Sequence, residues 1–394
     1  MSKTLVIILA ETRAHELTFD SFKKNVYDEL NADLCVCIGV KSDYDYENPF
    51  YKLAKYKFLY EEQHDFGEAF DRAYDEISKT RSECEKIDYS HSIFDINNNE
   101  IYEPDVTIYK KPLHWREFLK IKDQFMGGIK DNYHEHQGSA SILIFFRWFL
   151  LKNLIESDVI NQYDRFVITR SDYLYKLPHP SLSLMDKNNI WIPNNEYYGG
   201  ITDRHVILSK SNIENYLNIL NNMVLKSNQY FMNMNICNRN DWNLERLIAF
   251  HLNQNNVLHS VREFPFIMYS VRNINGTTRW TEGNFSEELG YFIKYGNEYN
   301  SANLYKNDFE KSGLTIDDFY EKIIYKINKK IKIRAKYIEY YKTAKNRIPN
   351  VYDKKYTKKR IIHESKSKTI KIKTIIHSEN FFPNKIEKLT QEES

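Results

Sequence analysis

Residues 4–10 (TLVIILA) are apolar without interruption and rich in β-branched side chains, the pattern of a strand buried on both faces. Apolar positions at helical spacing follow over 19–30, and a second continuous run, 34–40 (LCVCIGV), repeats the buried-strand pattern. Strand, helix, strand with short links is a βαβ opening, so the expected class is α/β, with a mostly parallel central sheet flanked by helices. Residues 41–60 are tyrosine-rich and show no clear period, whereas 66–77 has helical spacing. The stretch 80–115 is polar, with three asparagines at 97–99, and is expected to be an irregular insertion. Residues 139–155 form a strongly apolar run long enough for a core helix, and 163–169 (YDRFVIT) is a strand. Short strands are expected at 189–193 and 205–208, helices at 212–225 and 243–252, and strand material with one proline over 257–272.

Beyond Gly313, residues 315–318 (TIDD) read as a capping box. The helix that follows sets Tyr320, Ile324, Ile327, Ile331, Ala335, Ile338 and Tyr341 on one apolar stripe, with Lys322, Lys326, Lys329, Lys330 and Lys336 over much of the rest. Pro349 stops it, and 374–394 carry no period. The expected organisation is a catalytic-type domain over 1–312 and a basic helical appendage over 313–394. No internal repeat is evident.

Composition narrows the class. With 42% hydrophobic residues, 30 Tyr and 23 Phe among 394 residues, the chain carries too much apolar and aromatic surface for disorder throughout. No apolar run approaches the roughly 20 residues of a spanning helix, and 12 Gly and 9 Pro exclude collagen-like chains. Four cysteines make no disulfide framework and no zinc spacing. Cys35 and Cys37, two apart in a strand, read as small core residues. The first apolar run is too short for a secretory signal and is followed by Glu11, so the expected location is cytoplasmic. The net charge of +2 hides an asymmetry: residues 322–373 hold 19 Lys and Arg against 3 acids, about +16, which leaves about −14 for the rest.

Candidate chemistry gathers in three places. In 163–175 (YDRFVITRSDYLY) a buried strand runs into Arg170, Ser171 and Asp172. Ligands of open α/β sheets bind at the carboxyl ends of strands. An aspartate there can hold a divalent ion that neutralises a diphosphate, and an arginine two residues away can grip phosphate with its planar fork. A surface Arg–Asp pair accounts for the same residues. In 190–208 (IWIPNNEYYGGITDRHVIL), Gly199 and Gly200 allow close backbone approach, and Asp203 and Arg204 follow at once; a glycine-hinged loop with solvated charges reads equally well. Glu245 opens a helix, either as an acid satisfying the first turn or as one aimed into a cleft.

The order of these pieces resembles nucleotide-sugar glycosyltransferases of the GT-A fold, of the kind encoded by large DNA viruses and by bacterial lipopolysaccharide and capsule pathways. The resemblance covers roughly residues 1–275. Such families end the central strand in an Asp-x-Asp or related motif that binds Mn²⁺ or Mg²⁺ with the sugar diphosphate; here the match is VITRSDYLY, with Arg170 at the first acidic position. The resemblance implies a GT-A-like, Rossmann-like sheet, a nucleotide-sugar donor, and a glycan or glycolipid acceptor. It places Glu11, Thr12 and Arg13 at the nucleotide, and Asp172 at the metal or diphosphate with Arg170 beside it. Gly199 and Gly200 would lie against the donor sugar or acceptor, and Arg272 over the phosphates. Glu245, with Asp203 next, becomes the acid on the catalytic face. An inverting enzyme needs a carboxylate to take the acceptor's proton, worth roughly 10²–10⁴-fold; a retaining one does not need it in that place.

Two alternatives remain: a sugar nucleotidyltransferase, against which the first strand's sequel AETRAHE lacks a Gly-rich stretch, and a non-catalytic transferase fold with a basic binding tail. His134, Glu135 and His136 are ligand types without an evident third partner, and no P-loop, G-x-S-x-G or G-x-G-x-x-G occurs. The basic tail reads as packing on the body, as peripheral contact with an anionic membrane, or, least favoured, as a nucleic-acid arm.

Overall fold

The computed structural model describes residues 2–41, 46–89, 92–94, 100–102, 106–121, 124–130, 138–236, 242–276 and 278–329. All of them fall in a compact unit spanning 1–346. Strand β1 (Thr4–Ala10) leads into helix α1 (His15–Phe22), which continues through a wider turn over Lys23–Asp28, and then into β2 (Asp33–Val40). Strand β3 (Tyr56–Glu61) and helix α2 (Gly67–Ser78) follow. Helix α3 (Ala140–Glu156) precedes β4 (Arg165–Thr169), β5 (Tyr173–Tyr175), β6 (Ile190–Pro193) and β7 (Val206–Ser209).

Helices α4 (Lys210–Leu217) and α5 (Leu244–Gln254) lie before β8 (Val261–Phe264) and β9 (Met268–Arg272). A hairpin of β10 (Asn284–Ser286) and β11 (Tyr291–Ile293) then leads to α6 (Gly296–Ser312) and α7 (Ile316–Lys329).

The α/β class expected from the strand pattern is the one observed. Seven strands form the central sheet in the order β8-β6-β7-β4-β1-β2-β3. β1 pairs in parallel with both β2 and β4, and β7 pairs antiparallel with β4 and β6, so β7 alone runs against the rest. The unbroken apolar runs have their physical reason here. Val6, Ile8, Val36 and Ile38 share a core with Phe22 and Val26 on one face, and α3 packs on β1 and β2 from the other. Cys35 and Cys37 are buried within β2, as expected of small core residues, and burial pushes both thiols up. A second, antiparallel sheet, β5-β9-β11-β10, stands beside the first and receives the chain just past β4.

Four departures from the sequence reading have local causes. The tyrosine-rich stretch contains β3, a partly exposed edge strand with no buried run to reveal it. The 80–115 insertion is not irregular throughout: Glu85–Tyr89 pairs with Val106–Lys110, and Ser92–Phe94 with Glu100–Tyr102. The expected helix over 212–225 breaks at Asn218, and a further helix, Ser227–Ile236, follows. The long first helix begins earlier than its apolar spacing suggests, at His15.

Helix α7 tests the reading of the basic stripe as far as Lys329. Thr315 Oγ1 accepts from the Asp318 backbone N–H (3.3 Å), as the capping pattern implied. Phe319, Tyr320 and Ile324 are buried in the core cluster that contains Val6 and Val36, and the Asn328 side chain bonds both the N–H and the carbonyl of Glu263 on β8 (3.1 and 2.8 Å). This part of the stripe therefore packs on the body. Residues 331–341 of the stripe, and the rest of the basic tail, lie outside the described residues. Among the described residues no helix is long and apolar enough to cross a membrane. A chain ending at Leu314 should unfold well below the full-length protein, because each of the three buried side chains removed contributes roughly 1.5–3 kcal/mol. Equal melting temperatures would show that α7 adds nothing to the core.

Candidate functional site

A cleft opens where β1, β2 and β4 end, the position that the topology of open α/β sheets favours for ligands. Leu143 and Phe146 from α3 form an apolar wall; Glu11, Arg13, Arg170, Asp172 and Arg279 supply charge. The Glu11–Arg13 turn is held tightly. Ser171 Oγ accepts from the Arg13 backbone N–H (2.8 Å) and lies 2.9 Å from the Glu11 carbonyl, and Asn48 Nδ2 donates to Thr12 Oγ1 (2.9 Å). Ala10 and Ala14 bracket this turn with φ of 75° and 55°, left-handed values that cost an alanine roughly 1–2 kcal/mol each. That strain marks a turn whose shape is imposed by its surroundings.

Asp172 is 1% exposed and sits at the centre of the charge. Arg170 grips it as a fork, Nε to Oδ1 and Nη2 to Oδ2, both at 2.7 Å, and Arg272 Nη1 donates to Oδ2 from β9. Burial alone would raise this carboxyl, but Arg170 and Arg272 outweigh it and hold the group well below the usual range. Arg13 stands close enough to feel all three. Burial, with Arg170 and Arg272 adding to it, brings its guanidinium down to about 9 despite the pull of Asp172.

The donor set around Asp172 does not fit the Mn²⁺ or Mg²⁺ that the family resemblance led us to expect. Both carboxylate oxygens are already taken by guanidinium groups. A divalent ion ~4 Å from one guanidinium meets a repulsion on the order of 8 kcal/mol at an effective dielectric of about 20. Among the described residues, no group of three or more His, Cys, Asp or Glu could hold a metal. His134, Glu135 and His136 lie outside the described residues.

The second group of predicted residues also comes together. Asp203 and Glu245 are neighbours: burial, and then the Asp203 carboxylate, push Glu245 up to about 7. Asn243 caps α5 by accepting from the Arg246 N–H (2.9 Å), which leaves Glu245 in the first turn. Arg147, buried on α3, donates to the Asp203 carbonyl (3.1 Å) and fixes the loop from below. Arg204 is ion-paired with the buried Glu298 of α6, and its guanidinium lies over the rings of Tyr198 (4.7 Å) and Tyr295 (4.1 Å). Arg204 is within electrostatic reach of both Arg170 and Glu245, although Asp203, Arg204 and Glu245 are not among the residues that line the cleft.

The paired glycines admit a close approach of protein backbone. Ile201 N–H donates to the Glu245 carbonyl (2.9 Å), and a Cβ on Gly200 would land on the Glu245 carbonyl and the Arg246 amide. Gly199 has φ +83°, and a Cβ there would meet Arg246 Nε at 2.6 Å. Their lack of side chains lets the loop dock on the start of α5 and so places Asp203 beside Glu245. Gly200→Ala should cost about 1–3 kcal/mol or more in an unfolding experiment, because backbone on both sides must shift. A variant as stable as the parent would mean that the docking is loose.

Besides Arg147 and Arg279, Lys294 and Glu298 escaped the sequence reading. Lys294, just after β11, is pushed down to about 6 by burial, then by Arg170 and Arg272. Glu298 anchors Arg204 and accepts from the Ser270 N–H (2.8 Å) of β9. Both belong to 273–312, where no buried run or motif drew attention. An acid in the first turn after Gly296 was the available signal.

No described protein family matches the chain, and no curated protein matches it in sequence. Among solved structures it is similar to mouse xyloside xylosyltransferase 1 in its apo form, with a TM-score of 0.34 and 6% identity, over 67% of this chain and 85% of that one.

Proposed function

We propose that the protein is a glycosyltransferase that moves a sugar from a nucleotide-sugar donor to a hydroxyl of a glycan, free or carried on a lipid. The observation that supports this reading most is the presence, within electrostatic reach of one arginine, Arg204, of a cation cluster around Asp172 and a carboxyl pair whose Glu245 is poised near neutrality. The donor's diphosphate lies on the cations, with its nucleoside toward the Phe146 wall. The acceptor oxygen attacks the anomeric carbon, the bond from that carbon to the phosphate oxygen breaks, and the leaving diphosphate takes the electron pair. Glu245 receives the acceptor's proton as an inverting base, and Asp203 raises its affinity for that proton. Preorganised positive charge facing a leaving diphosphate is the kind of interaction that strengthens in the transition state.

A panel of UDP-, GDP- and CMP-sugars tests the reading. A bound donor should stabilise the fold by roughly 2.7 kcal/mol at 100 times its Kd, and should release nucleotide when an acceptor is supplied. If no donor in the panel shifts unfolding or is consumed, the assignment falls.

A further inference from the structure

Both oxygens of Asp172 are already paired with arginine, so the carboxylate itself has no oxygen left for a metal. Arg170 uses Nε and Nη2 on the carboxylate, and Arg272 uses only Nη1. Arg272 is 2% exposed, yet its Nε and Nη2 are buried without a partner. Buried donors without partners call for an explanation; Arg147 and Arg165 carry such atoms too, but those of Arg272 belong to a guanidinium that already holds Asp172 at the cleft. Arg13 and Lys294 complete the group, each within electrostatic reach of Asp172 and of both Arg170 and Arg272. Two guanidiniums thus hold one carboxylate, Arg13 lines the same cleft with Glu11 pairing it at the rim, and the Lys294 amine lies within electrostatic reach. The excess is positive, and a diphosphate supplies the missing negative charge and the missing acceptors together.

We infer that this protein seats a diphosphate directly on Arg13, Arg170, Arg272 and Lys294, with no divalent ion, and that Asp172 is an internal counter-charge that holds the arginine forks in place. This rests on the phosphate-bearing donor of the proposed function. Arginine suits the task because its planar fork is already organised for paired phosphate oxygens. Asp172 keeps Arg170 and Arg272 from repelling each other before the ligand arrives. The left-handed turns at Ala10 and Ala14 hold Arg13 at the mouth of the same cleft.

Calorimetric titration of the full-length protein with UDP and with inorganic pyrophosphate, each in EDTA and each with Mn²⁺ or Mg²⁺, tests the inference. The expected result is binding in EDTA within about threefold of that with metal, weakened by added salt as direct charge contacts are. Arg13→Gln, at the partly exposed mouth, should weaken binding about 10–100-fold, the loss of one or two charge-assisted hydrogen bonds. Lys294→Gln should act in the same direction if Arg13→Gln proves hard to fold. Pyrophosphate binding as tightly as UDP supports the seat and removes the nucleoside from the ligand; tighter UDP binding supports it with the nucleoside included. Binding that appears only with a divalent ion overturns the inference and leaves the transferase reading standing. Tight binding in EDTA that neither substitution weakens also overturns it, since the anion then sits elsewhere. No binding under any condition overturns both the inference and the proposed function.

Discussion

Asp172→Asn should destabilise the protein by roughly 3–5 kcal/mol, because breaking a buried ion pair from one side leaves the remaining charges uncompensated. In this case Arg170 and Arg272 would be left facing each other, with Arg13 close by. In a body of this size the change corresponds to a fall in Tm of roughly 5–10 °C. The sign with pH follows from the direction of the shift. Asp172 is held well below its ordinary value, so its stabilising contribution is present above about pH 4 and is lost as pH falls toward its folded-state value. The gap between parent and variant should therefore be constant through neutral pH and narrow only in acid. A carboxylate whose task was to ligate a metal on an otherwise sound scaffold would give a different result: unchanged melting and lost metal affinity. Adding Arg170→Met to Asp172→Asn should recover part of the loss, since it removes one of the stranded charges. Unfolding curves that superimpose for parent and variant would sink the counter-charge role.

What the sequence made legible was whatever burial stamps onto consecutive residues. β1, β2 and β4 are covered on both faces, so their side chains are apolar in either direction and the runs stand out. β3 is partly exposed along its length, and β10 and β11 have three residues each, too few for a period to show. Helix α6 buries few side chains, chiefly Glu298 and Ala302, so it carries no stripe. At the site, Arg170, Asp172, Glu245 and Arg272 stand at strand ends or a helix start and Asp203 follows the paired glycines; the fold brings Arg272 onto Asp172 and Asp203 beside Glu245. Their partners were not legible. Arg272 reaches Asp172 only because β5 pairs with β9, some hundred residues on, with Tyr173 opposite Ser270. Glycines that admit a ligand and glycines that admit a helix look the same in sequence. Here the docking of Ile201 on Glu245 shows the second kind of approach.

Glu245→Gln should lower kcat by roughly 10²–10⁴-fold, the usual worth of a positioned general base, while leaving donor affinity nearly unchanged. The placement motivates this: Glu245 stands in the first turn of α5 beside Asp203, and Arg204 is within electrostatic reach of both Glu245 and Arg170. A base held at about 7 is largely charged only above neutrality, so the parent's rate should rise through pH 7 and level off above it. The Gln variant should lack that inflection. Stability should move the opposite way. The folded state raises the carboxyl from 4.5 to about 7, so it binds the proton more tightly than the unfolded chain does. The parent therefore loses stability as pH climbs between those two values and is flat above them, whereas the Gln variant, neutral throughout, is spared this loss. At pH 8 the variant should be at least as stable as the parent and nearly inactive, a combination that damage to the fold cannot produce. Asp203→Asn should bring Glu245 down toward its ordinary value and shift the rising limb of the parent's profile to lower pH. A Gln variant that loses rate only in proportion to donor affinity would move Glu245 to the donor side, since an interaction made only in the transition state lowers kcat without weakening the ground-state complex.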